Sequence, residues 1–366
     1  MKKVMVVMGT RPEAIKLCPL VLELKRRNTV FDVLVCSTGQ HRAMLDSALE
    51  AFSVKPDFDL DAMRTGQTAS DLTGRILRRM DEILDAESPE FVLVQGDTTS
   101  AFSAALAAFH RKIPIGHVEA GLRTYHMHDP FPEEFHRQAI SLMTDYHFAP
   151  TVTAKRNLLR EGKHESRIYI TGNTVVDAMR LTLTGKRPFS DWNLPSDKRM
   201  LLFTAHRKES IGERLCGMLR ALRRIVEETP DLIVYYPVHH NPEVRRAAID
   251  ILKGVPRIRM IEPPEIVSFH HLLSRAYLIL TDSGGIQEEA SVLGIPTVVM
   301  RYSSERTEGM RSGVLKLAGC SEQGIYELTK KLLSPKSVDY EMRTRPSAIY
   351  GDGNASIRIA DVLMRI

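Results

Sequence analysis

The sequence predicts an α/β protein made of two doubly wound domains, and three observations lead to this prediction. Its 366 residues correspond to two domains at roughly 150 residues each. Short apolar runs alternate with longer amphipathic stretches, as strands and helices do around a parallel sheet. This alternation stops at a polar, proline-containing stretch, Gly185–Lys198, and then restarts. We therefore expect domains at 1–172 and 173–353, with a helix at 354–366 packing back on the first.

Short apolar runs in the first half are the predicted strands of the first sheet: Val4–Met8, Val33–Cys36, Phe91–Val94, Ile113–Val118, Tyr146–Ala149 and Ile168–Thr171. Amphipathic stretches between them are the predicted helices: Ala14–Arg27, His41–Phe52, Ala69–Ala86, Ser100–Arg111, Glu133–Met143 and Thr153–Glu161. The second half contributes the predicted strands Met200–Thr204, Ile233–Pro237, Ile258–Ile261, Leu278–Thr281 and Thr297–Met300. Runs that are apolar throughout are typical of parallel strands buried on both faces.

The charge distribution favours a small anionic ligand over a nucleic acid. The formal net charge is +5 and the pI is about 8.9. Residues 1–170 carry 22 basic and 22 acidic side chains, whereas the remainder carries 28 and 23, so the excess lies in the second half. Binding of nucleic acid would require a concentrated stripe of Lys and Arg, which the sequence lacks.

The compartment predicted from the sequence is the cytoplasm. No apolar run approaches the roughly 18 residues that a membrane helix needs. The apolar start Val4–Met8 is too short for an export signal and is better explained as a first strand. The four cysteines are widely spaced, which is typical of reduced proteins.

Charged residues follow the predicted strands at the edge where open α/β sheets bind ligands. After the first strand, Arg11 and Lys16 flank a helix start that could hold an anion, although a turn with two solvated cations explains them as well. Asp97 and Glu119 follow later strands, and Glu133 opens a helix beside Arg137. Each of these residues, taken alone, has another explanation. Asp97 could cap a helix, and Glu119 could be a paired carboxylate. Glu133 could be stabilised by the helix dipole or by a salt bridge with Arg137. Three carboxylates at one sheet edge are harder to explain in this way.

The second half shows features typical of phosphate binding. His206 follows its first strand as a candidate proton carrier or phosphate donor. Ser283–Gly285 form a strand-to-helix turn with free backbone N–H groups, and Glu289 lies on the helix that follows. Arg306 could add charge-assisted bonds to a phosphate. The His pairs at 126–129 and 239–240 lack a matching set of metal ligands, so no metal site is predicted.

Taken together, these motifs resemble the non-hydrolysing UDP-N-acetylglucosamine 2-epimerases over nearly the whole chain. The matching strings are Met8–Lys16, Gly116–Thr124, Thr171–Thr174, Thr281–Gly285 and Tyr350–Gly353. The resemblance implies a glycosyltransferase-B-like fold of two Rossmann-like domains with the active site in the cleft between them. It also implies a homodimer without a nicotinamide or metal cofactor, which supplies a sugar for cell-surface polysaccharides.

The resemblance assigns roles to individual residues of this chain. The catalytic positions of the family fall on Asp97, Glu119, Glu133, Arg137 and His206. The positions that bind the substrate nucleotide fall on Arg11, Lys16, Phe269, Ser283, Gly284, Gly285, Glu289 and Arg306. Positions for a second, activating UDP-N-acetylglucosamine fall on Gln40, Gln67, Glu209 and His239.

The chain departs from the family pattern at several positions. His136 stands where an asparagine is usual, and the loop Tyr125–Asp129 differs from the common glycine-rich version. Ala43 and Gly66 replace a glutamine and an arginine near the activator positions.

The chemistry of C2 epimerisation explains why such a site needs both cations and carboxylates. The hydrogen on C2 of the sugar becomes acidic only as the C1–O bond to UDP breaks. Elimination then leaves UDP and 2-acetamidoglucal, and protonation of C2 from the other face, with re-addition of UDP, gives UDP-N-acetylmannosamine. This requires donors on the diphosphate and carboxylates near C2. Which carboxylate is the base and which is the acid stays open.

Other activities remain as alternatives at this point. A hydrolysing 2-epimerase would release free N-acetylmannosamine and UDP, but its relatives usually lack the string Arg11–Ala14. A glycosyltransferase of the same fold would need an acceptor site. A non-catalytic nucleotide-sugar sensor would not need to retain all of the carboxylates.

Overall fold

The computed structural model divides the chain into two compact units. It describes residues 1–40, 42–185, 192, 194–195, 197–205, 207, 210–302, 306–334 and 348–366. One unit comprises residues 1–181 and 350–366, and the other comprises residues 182–349. Within these described ranges, no helix is long and apolar enough to cross a membrane.

A parallel sheet of seven strands forms the centre of the first unit, in the order β3-β2-β1-β4-β5-β6-β7. Its strands are β1 (Lys2–Met8), β2 (Phe31–Ser37), β3 (Phe58–Asp59), β4 (Phe91–Gln95), β5 (Ile115–Val118), β6 (Tyr146–Ala149) and β7 (Ile168–Ile170). Its helices are α1 (Arg11–Arg26), α2 (Arg42–Ala51), α3 (Ala69–Glu87), α4 (Thr99–His110), α5 (Glu133–Met143), α6 (Val152–Arg160), most of α7 (Thr174–Thr184), and α14 (Ala355–Arg365).

The core of the first unit lies between the sheet and the helices that cover it. Met5 on β1 and Val92 on β4 are fully buried beside Ala104 and Ala108 on α4. These alanines leave little side chain between helix and sheet, so the backbone of α4 approaches the strands closely. Burial of apolar surface of this kind is the main stabilising contribution to the fold.

The C-terminal helix belongs to the first unit through specific polar contacts. Asp177 on α7 accepts hydrogen bonds from the backbone N–H groups of Ala355 (3.2 Å) and Ser356 (2.8 Å), which are free donors at the start of α14. Arg27, just after α1, pairs with Asp361 on α14 at 2.6 Å. These contacts hold α14 against α7 and α1, although more than 170 residues of sequence separate the partners.

The second unit contains a parallel sheet in the order β10-β9-β8-β11-β12-β13. Its strands are β8 (Arg199–Thr204), β9 (Leu232–Pro237), β10 (Ile258–Ile261), β11 (Leu278–Thr281), β12 (Thr297–Val299) and β13 (Leu315–Leu317). Its helices are α8 (Glu213–Glu227), α9 (Pro242–Leu252), α10 (Ile266–Ser274), α11 (Gly284–Leu293), α12 (Thr307–Arg311) and α13 (Glu322–Leu333). Leu201, Val234 and Leu280 bury its central strands against Met218 and Leu222 of α8.

The structure confirms the predicted alternation of strands and helices, with a few differences at short elements. β3 and β13 are two and three residues long, and no apolar run in the sequence marks them. The strand predicted from Ile113 begins at Ile115, because Ile113 donates its N–H to Ala108 and closes α4. His41, predicted to begin a helix, lies outside the described residues.

Candidate active site

The strand order of the first sheet reverses between β1 and β4, where open α/β sheets form a ligand-binding crevice at the carboxyl ends of the strands. Gly9 follows β1 at this point. A Cβ atom on Gly9 would lie 2.1 Å from Ser100 Oγ and 2.1 Å from Thr38 Oγ1. Only glycine therefore allows the β1–α1 turn to approach the start of α4.

Glu13 ties this turn to α4 from the first turn of α1. Its Oε2 accepts hydrogen bonds from the backbone N–H groups of Gly9 (3.0 Å) and Thr10 (2.7 Å) and from the Thr10 hydroxyl (2.8 Å). Its Oε1 lies 2.7 Å from the hydroxyl of Thr98, the N-cap of α4. Burial raises the pKa of Glu13 to about 7, although the hydrogen bonds act in the opposite direction. Glu13 was not among the predicted site residues.

Glu119 follows β5 and is surrounded by donors. Lys16 Nζ on α1 is in direct contact with its Oε2, and Asn173 Nδ2 donates to the same oxygen at 2.7 Å. Gln95 Nε2 donates to Oε1 at 3.0 Å. Glu119 is 8% exposed and has a φ of +65°, in the left-handed region that non-glycine residues rarely adopt. Strain of this kind is common at functional sites, and here it directs the carboxylate towards these three donors.

Asp97 follows β4 and is held by an arginine from α5. Arg137 Nε donates to Asp97 Oδ2 at 2.6 Å, and Arg137 Nη1 donates to Glu134 Oε2 at 3.0 Å. Glu134 is fully buried and also accepts the backbone N–H groups of Thr124 and Tyr125, each at 3.0 Å. Burial acts to raise the pKa of Glu134, but these donors and Arg137 lower it below its ordinary value. The arginine is thereby fixed between two carboxylates.

Two histidines hold the backbone of the loop that carries Asp97. His117 Nε2 lies 2.7 Å from the Gly96 carbonyl oxygen, and His136 Nδ1 lies 2.9 Å from the Asp97 carbonyl oxygen. A carbonyl can only accept, so each ring nitrogen donates. Burial lowers the pKa of both rings, that of His117 to about 4, which keeps them neutral. His136 also stacks on Phe102, with ring centroids 4.9 Å apart.

Glu133 and Arg11 occupy helix starts in the first unit. Glu133 is half-buried in the first turn of α5, next to Glu134. Arg11 is half-buried and begins α1. The positive end of each helix dipole lies at these positions.

The second sheet reverses its strand order between β8 and β11, and Ser283–Gly285 follow β11 there. Ser283 is the N-cap of α11, and its N–H donates to the Thr281 hydroxyl at 2.9 Å. A Cβ on Gly285 would meet nothing within 4 Å, so space is open beside this turn. Helix starts with open space and backbone N–H groups are well suited to anions.

Glu289 lies on α11 and is 7% exposed. Its Oε1 is 3.7 Å from His270 Nε2, and His270 Nδ1 is 2.7 Å from the Thr182 hydroxyl. Among the described residues, neither Glu289 Oε2 nor His270 Nε2 has a hydrogen-bond partner. Phe269, next to this histidine on α10, is buried. Glu289 therefore has acceptor capacity for a ligand hydroxyl.

Arg306 is buried and donates its Nε to Glu288 Oε1 at 3.0 Å. Glu288, which was not among the predicted site residues, is buried as well. The negative charge of Glu288 offsets the positive charge of Arg306. The hydrogen bond between them also fixes the orientation of the planar guanidinium group.

The residues suggested for a second nucleotide sugar have local partners in the structure. Gln40 Oε1 accepts the Ser100 hydroxyl at 2.7 Å, and Gln67 Oε1 accepts Arg75 Nη1 at 2.8 Å. His239 is exposed in the second unit. Glu209 and the predicted catalytic residue His206 lie outside the described residues.

The structure brings two pairs of predicted residues into contact, Lys16 with Glu119 and Arg137 with Asp97. It places Lys16, expected to bind phosphate, on Glu119, a carboxylate predicted to be catalytic. No group of three or more His, Cys, Asp or Glu side chains that could hold a metal ion occurs in the part of the chain that is described.

Comparison with known proteins confirms the predicted resemblance. A family model described as UDP-N-acetylglucosamine 2-epimerase matches residues 22–364. The UDP-N-acetylglucosamine 2-epimerase of Bacillus subtilis is 48% identical over 362 residues, which are 99% of this chain and 95% of the relative. The crystal structure of UDP-GlcNAc 2-epimerase from Neisseria meningitidis bound to UDP-GlcNAc is 40% identical, has a TM-score of 0.93, and each chain covers 100% of the other.

The fold extends to more distant proteins. The glycosyltransferase SnogD from Streptomyces nogalater is 14% identical, with a TM-score of 0.66 and 99% coverage of both chains, and thus shares the fold alone. Two Rossmann-like domains with parallel sheets, as the sequence predicts, are confirmed by both the strand order and these neighbours. The similarity extends over the full length, and the chain belongs to the UDP-N-acetylglucosamine 2-epimerase family, a family of isomerases.

Proposed function

We propose that this enzyme interconverts UDP-N-acetylglucosamine and UDP-N-acetylmannosamine by eliminating and re-adding UDP, without hydrolysis. The observation that carries the proposal is the pair of cation-bound carboxylates, Asp97 with Arg137 and Glu119 with Lys16, after neighbouring strands of one sheet. Inversion at C2 requires a proton to leave one face and another to arrive at the opposite face. Two separate carboxylates suit this better than one.

In the elimination step, a carboxylate takes the C2 proton while the C1–O bond breaks and its electron pair leaves with UDP. The C2–H electron pair becomes the C1–C2 double bond of 2-acetamidoglucal. In the return step, a second group protonates C2 from the other face and a UDP oxygen attacks C1. We assign the proton transfers and the orientation of the sugar to Asp97, Glu119 and Glu133, with Arg137 holding the Asp97 carboxylate in position.

We assign the nucleotide to residues at the other strand ends. In this proposal the Ser283 hydroxyl, the N–H groups of Gly284 and Gly285 and the cation of Arg306 contact the diphosphate, and Glu289 accepts from the ribose hydroxyls. Phe269, Arg11 and Lys16 complete the set, and His206 stabilises the departing diphosphate. The open space at Gly285 and the acceptor capacity of Glu289 support this assignment.

We further propose a cytoplasmic homodimer whose product supplies cell-surface polysaccharides. Two apolar side chains on α5 support a dimer, since Phe135 is 48% and Leu142 77% exposed. Light scattering coupled to size exclusion tests the oligomeric state, and a monomer at micromolar concentration would contradict it.

Proton NMR of UDP-N-acetylglucosamine incubated with the enzyme in heavy water tests the reaction. We expect deuterium at C2 with UDP still attached, and signals of both epimers. Free N-acetylmannosamine would instead indicate a hydrolase, and an unchanged spectrum a transferase or a sensor. Asp97→Asn and Glu119→Gln should each abolish C2 exchange; normal exchange in both would contradict the assignment of the carboxylates.

A further inference from the structure

Lys16 and Glu119 form a buried ion pair that joins two functions of the proposed site. Their side chains are 9% and 7% exposed, and Lys16 Nζ touches Glu119 Oε2 directly. Lys16 lies in the second turn of α1, at the edge where the anion of the substrate is expected, whereas Glu119 is a candidate for the proton transfer at C2. One ammonium group therefore has two possible acceptors, a carboxylate and a phosphate.

Glu119 keeps other donors if Lys16 leaves. Asn173 Nδ2 donates to the same oxygen at 2.7 Å, and Gln95 Nε2 donates to the other at 3.0 Å. Both donors are neutral, so they hold the carboxylate in position without cancelling its charge. Among charged groups, Lys16 from α1 contacts Glu119, and His117 on β5 interacts with it electrostatically. His117 also interacts with Asp97 after β4 and Arg123 in the following loop, and Arg137 from α5 pairs with Asp97.

We propose that the diphosphate of the nucleotide sugar draws Lys16 away from Glu119, so that binding of the substrate itself frees the carboxylate to act as a base. The inference rests on the proposed epimerase function and deepens it. Lysine is suited to this role because its ammonium is a point charge on a flexible stem. A diphosphate carries two negative charges and competes strongly for it. A buried carboxylate that has lost its cation has a higher proton affinity and is a stronger base.

The proposal has a thermodynamic consequence that does not depend on turnover. If Glu119 and the diphosphate compete for Lys16, removing the charge of Glu119 must tighten the binding of UDP, since linkage is reciprocal. A carboxylate that does not compete would have no such effect. Before substrate binds, the ion pair also avoids the energetic cost of burying an unpaired charge.

Isothermal titration of UDP into the wild type, Glu119→Gln and Glu133→Gln tests this competition. We expect Glu119→Gln to bind UDP about fivefold more tightly or better, the lower end of typical coupling between sites. Glu133→Gln removes one negative charge from the same region without touching Lys16 in the described contacts, and should stay within about twofold of the wild type. Equal or weaker binding by Glu119→Gln overturns the proposal. Thermal melts confirm that each variant is folded.

The pH dependence of turnover by the wild type is a second readout. The fall of kcat/KM in acid, its acid limb, reports the pKa of the base in the free enzyme, and the fall of kcat reports its pKa in the complex with substrate. Because Lys16 is on Glu119 only in the free enzyme, we expect the limb in kcat/KM to lie at lower pH than the limb in kcat. Lys16→Met should close this gap, and coincident limbs in the wild type would overturn the proposal. If the proposed function is wrong, C2 exchange will be absent. The UDP affinities of the variants would still show whether Glu119 and the diphosphate compete for Lys16.

Discussion

Arg137 Nε donates to Asp97 Oδ2 at 2.6 Å while its Nη1 donates to Glu134 Oε2 at 3.0 Å. The arginine thus links a partly exposed carboxylate, which can meet a substrate, to a fully buried one, which cannot. Glu134 is itself fixed by two backbone N–H groups. The orientation of Asp97 consequently depends on a residue that lies beneath the site.

Glu134→Gln should weaken both the fold and the reaction. The variant leaves Arg137 buried with one charged partner instead of two, and breaking a buried ion pair costs about 3 kcal/mol of unfolding free energy. Loss of one anchor for Arg137 should lower kcat about tenfold or more with little change in KM, because Asp97 is no longer held in position. Urea denaturation and steady-state kinetics at pH 7 measure the two effects.

Gln138→Ala is the matched control for this variant. Gln138 also donates to Glu134, at 2.9 Å, but it is neutral. Its loss should cost about 1 kcal/mol and leave kcat unchanged. A wild-type kcat in Glu134→Gln would show that Arg137 does not need its buried partner.

His136 should be replaceable by asparagine but not by phenylalanine. Asparagine, the usual residue of the family at this position, can donate to the Asp97 carbonyl as the imidazole does. Phenylalanine retains the stacking on Phe102 but removes the donor. We expect His136→Asn to keep kcat within about threefold of the wild type and His136→Phe to lose about tenfold. Equal rates for both variants would indicate that stacking alone supports the loop.

The sequence was sufficient to predict the fold because the information is local. Each strand is a short apolar run, and each helix has its own amphipathic pattern, so alternation predicts both sheets. Among the described strands, β3 and β13 were missed, since Asp59 and Lys316 leave no continuous apolar run at these short elements. The motifs after the strands likewise pointed to Asp97 and Glu119.

The pairings that support the site could not be found in this way. Asn173 reaches Glu119 across 54 residues of sequence, and Lys16 reaches it across 103. Such pairings depend on how the strands are ordered, which no local pattern specifies. Glu134 and Glu133 are adjacent glutamates at a helix start, and only the structure shows that Glu134 is the one that holds Arg137.

Two buried histidines should make the protein lose stability in mild acid. His117 and His147 are register partners on β5 and β6, and burial lowers their pKa values from 6.5 to about 4 and about 3. Above pH 6.5 both rings are neutral in the folded and unfolded chains. Below it the unfolded chain binds protons that the folded chain does not, so unfolding free energy falls by about 1.4 kcal/mol per pH unit for each ring. Urea denaturation at pH 7, 6 and 5 measures the slope.

His147→Asn should reduce the change in unfolding free energy between pH 6 and 5 by the contribution of one proton, about 1.4 kcal/mol per pH unit. This holds whatever the substitution does to stability at pH 7. His147 Nδ1 has no hydrogen-bond partner in the described structure, so the slope is a cleaner readout than the absolute stability. An unchanged slope would mean that His147 is not the titrating group.

Glu13 should act with the opposite sign, because burial raises its pKa from 4.5 to about 7. Between these pH values the folded chain holds a proton that the unfolded chain has lost. Its contribution to stability is therefore present in full below pH 4.5 and is lost as the pH rises through 7. Glu13→Gln mimics the protonated form, since its oxygen can accept from Gly9 and Thr10 while its amide donates to Thr98.

Parallel urea denaturation of Glu13→Gln and the wild type isolates this effect, because the histidines contribute equally to both. The stability of the variant relative to the wild type should rise by about 1 kcal/mol per pH unit between pH 4.5 and 7 and be constant below pH 4.5. A difference that stays constant between pH 4.5 and 7 would show that the hydrogen bonds from Gly9, Thr10 and Thr98 outweigh burial and keep Glu13 ionised across this range. In that case the turn after β1 would be held by a charged cap, and its stability would fall only in strong acid.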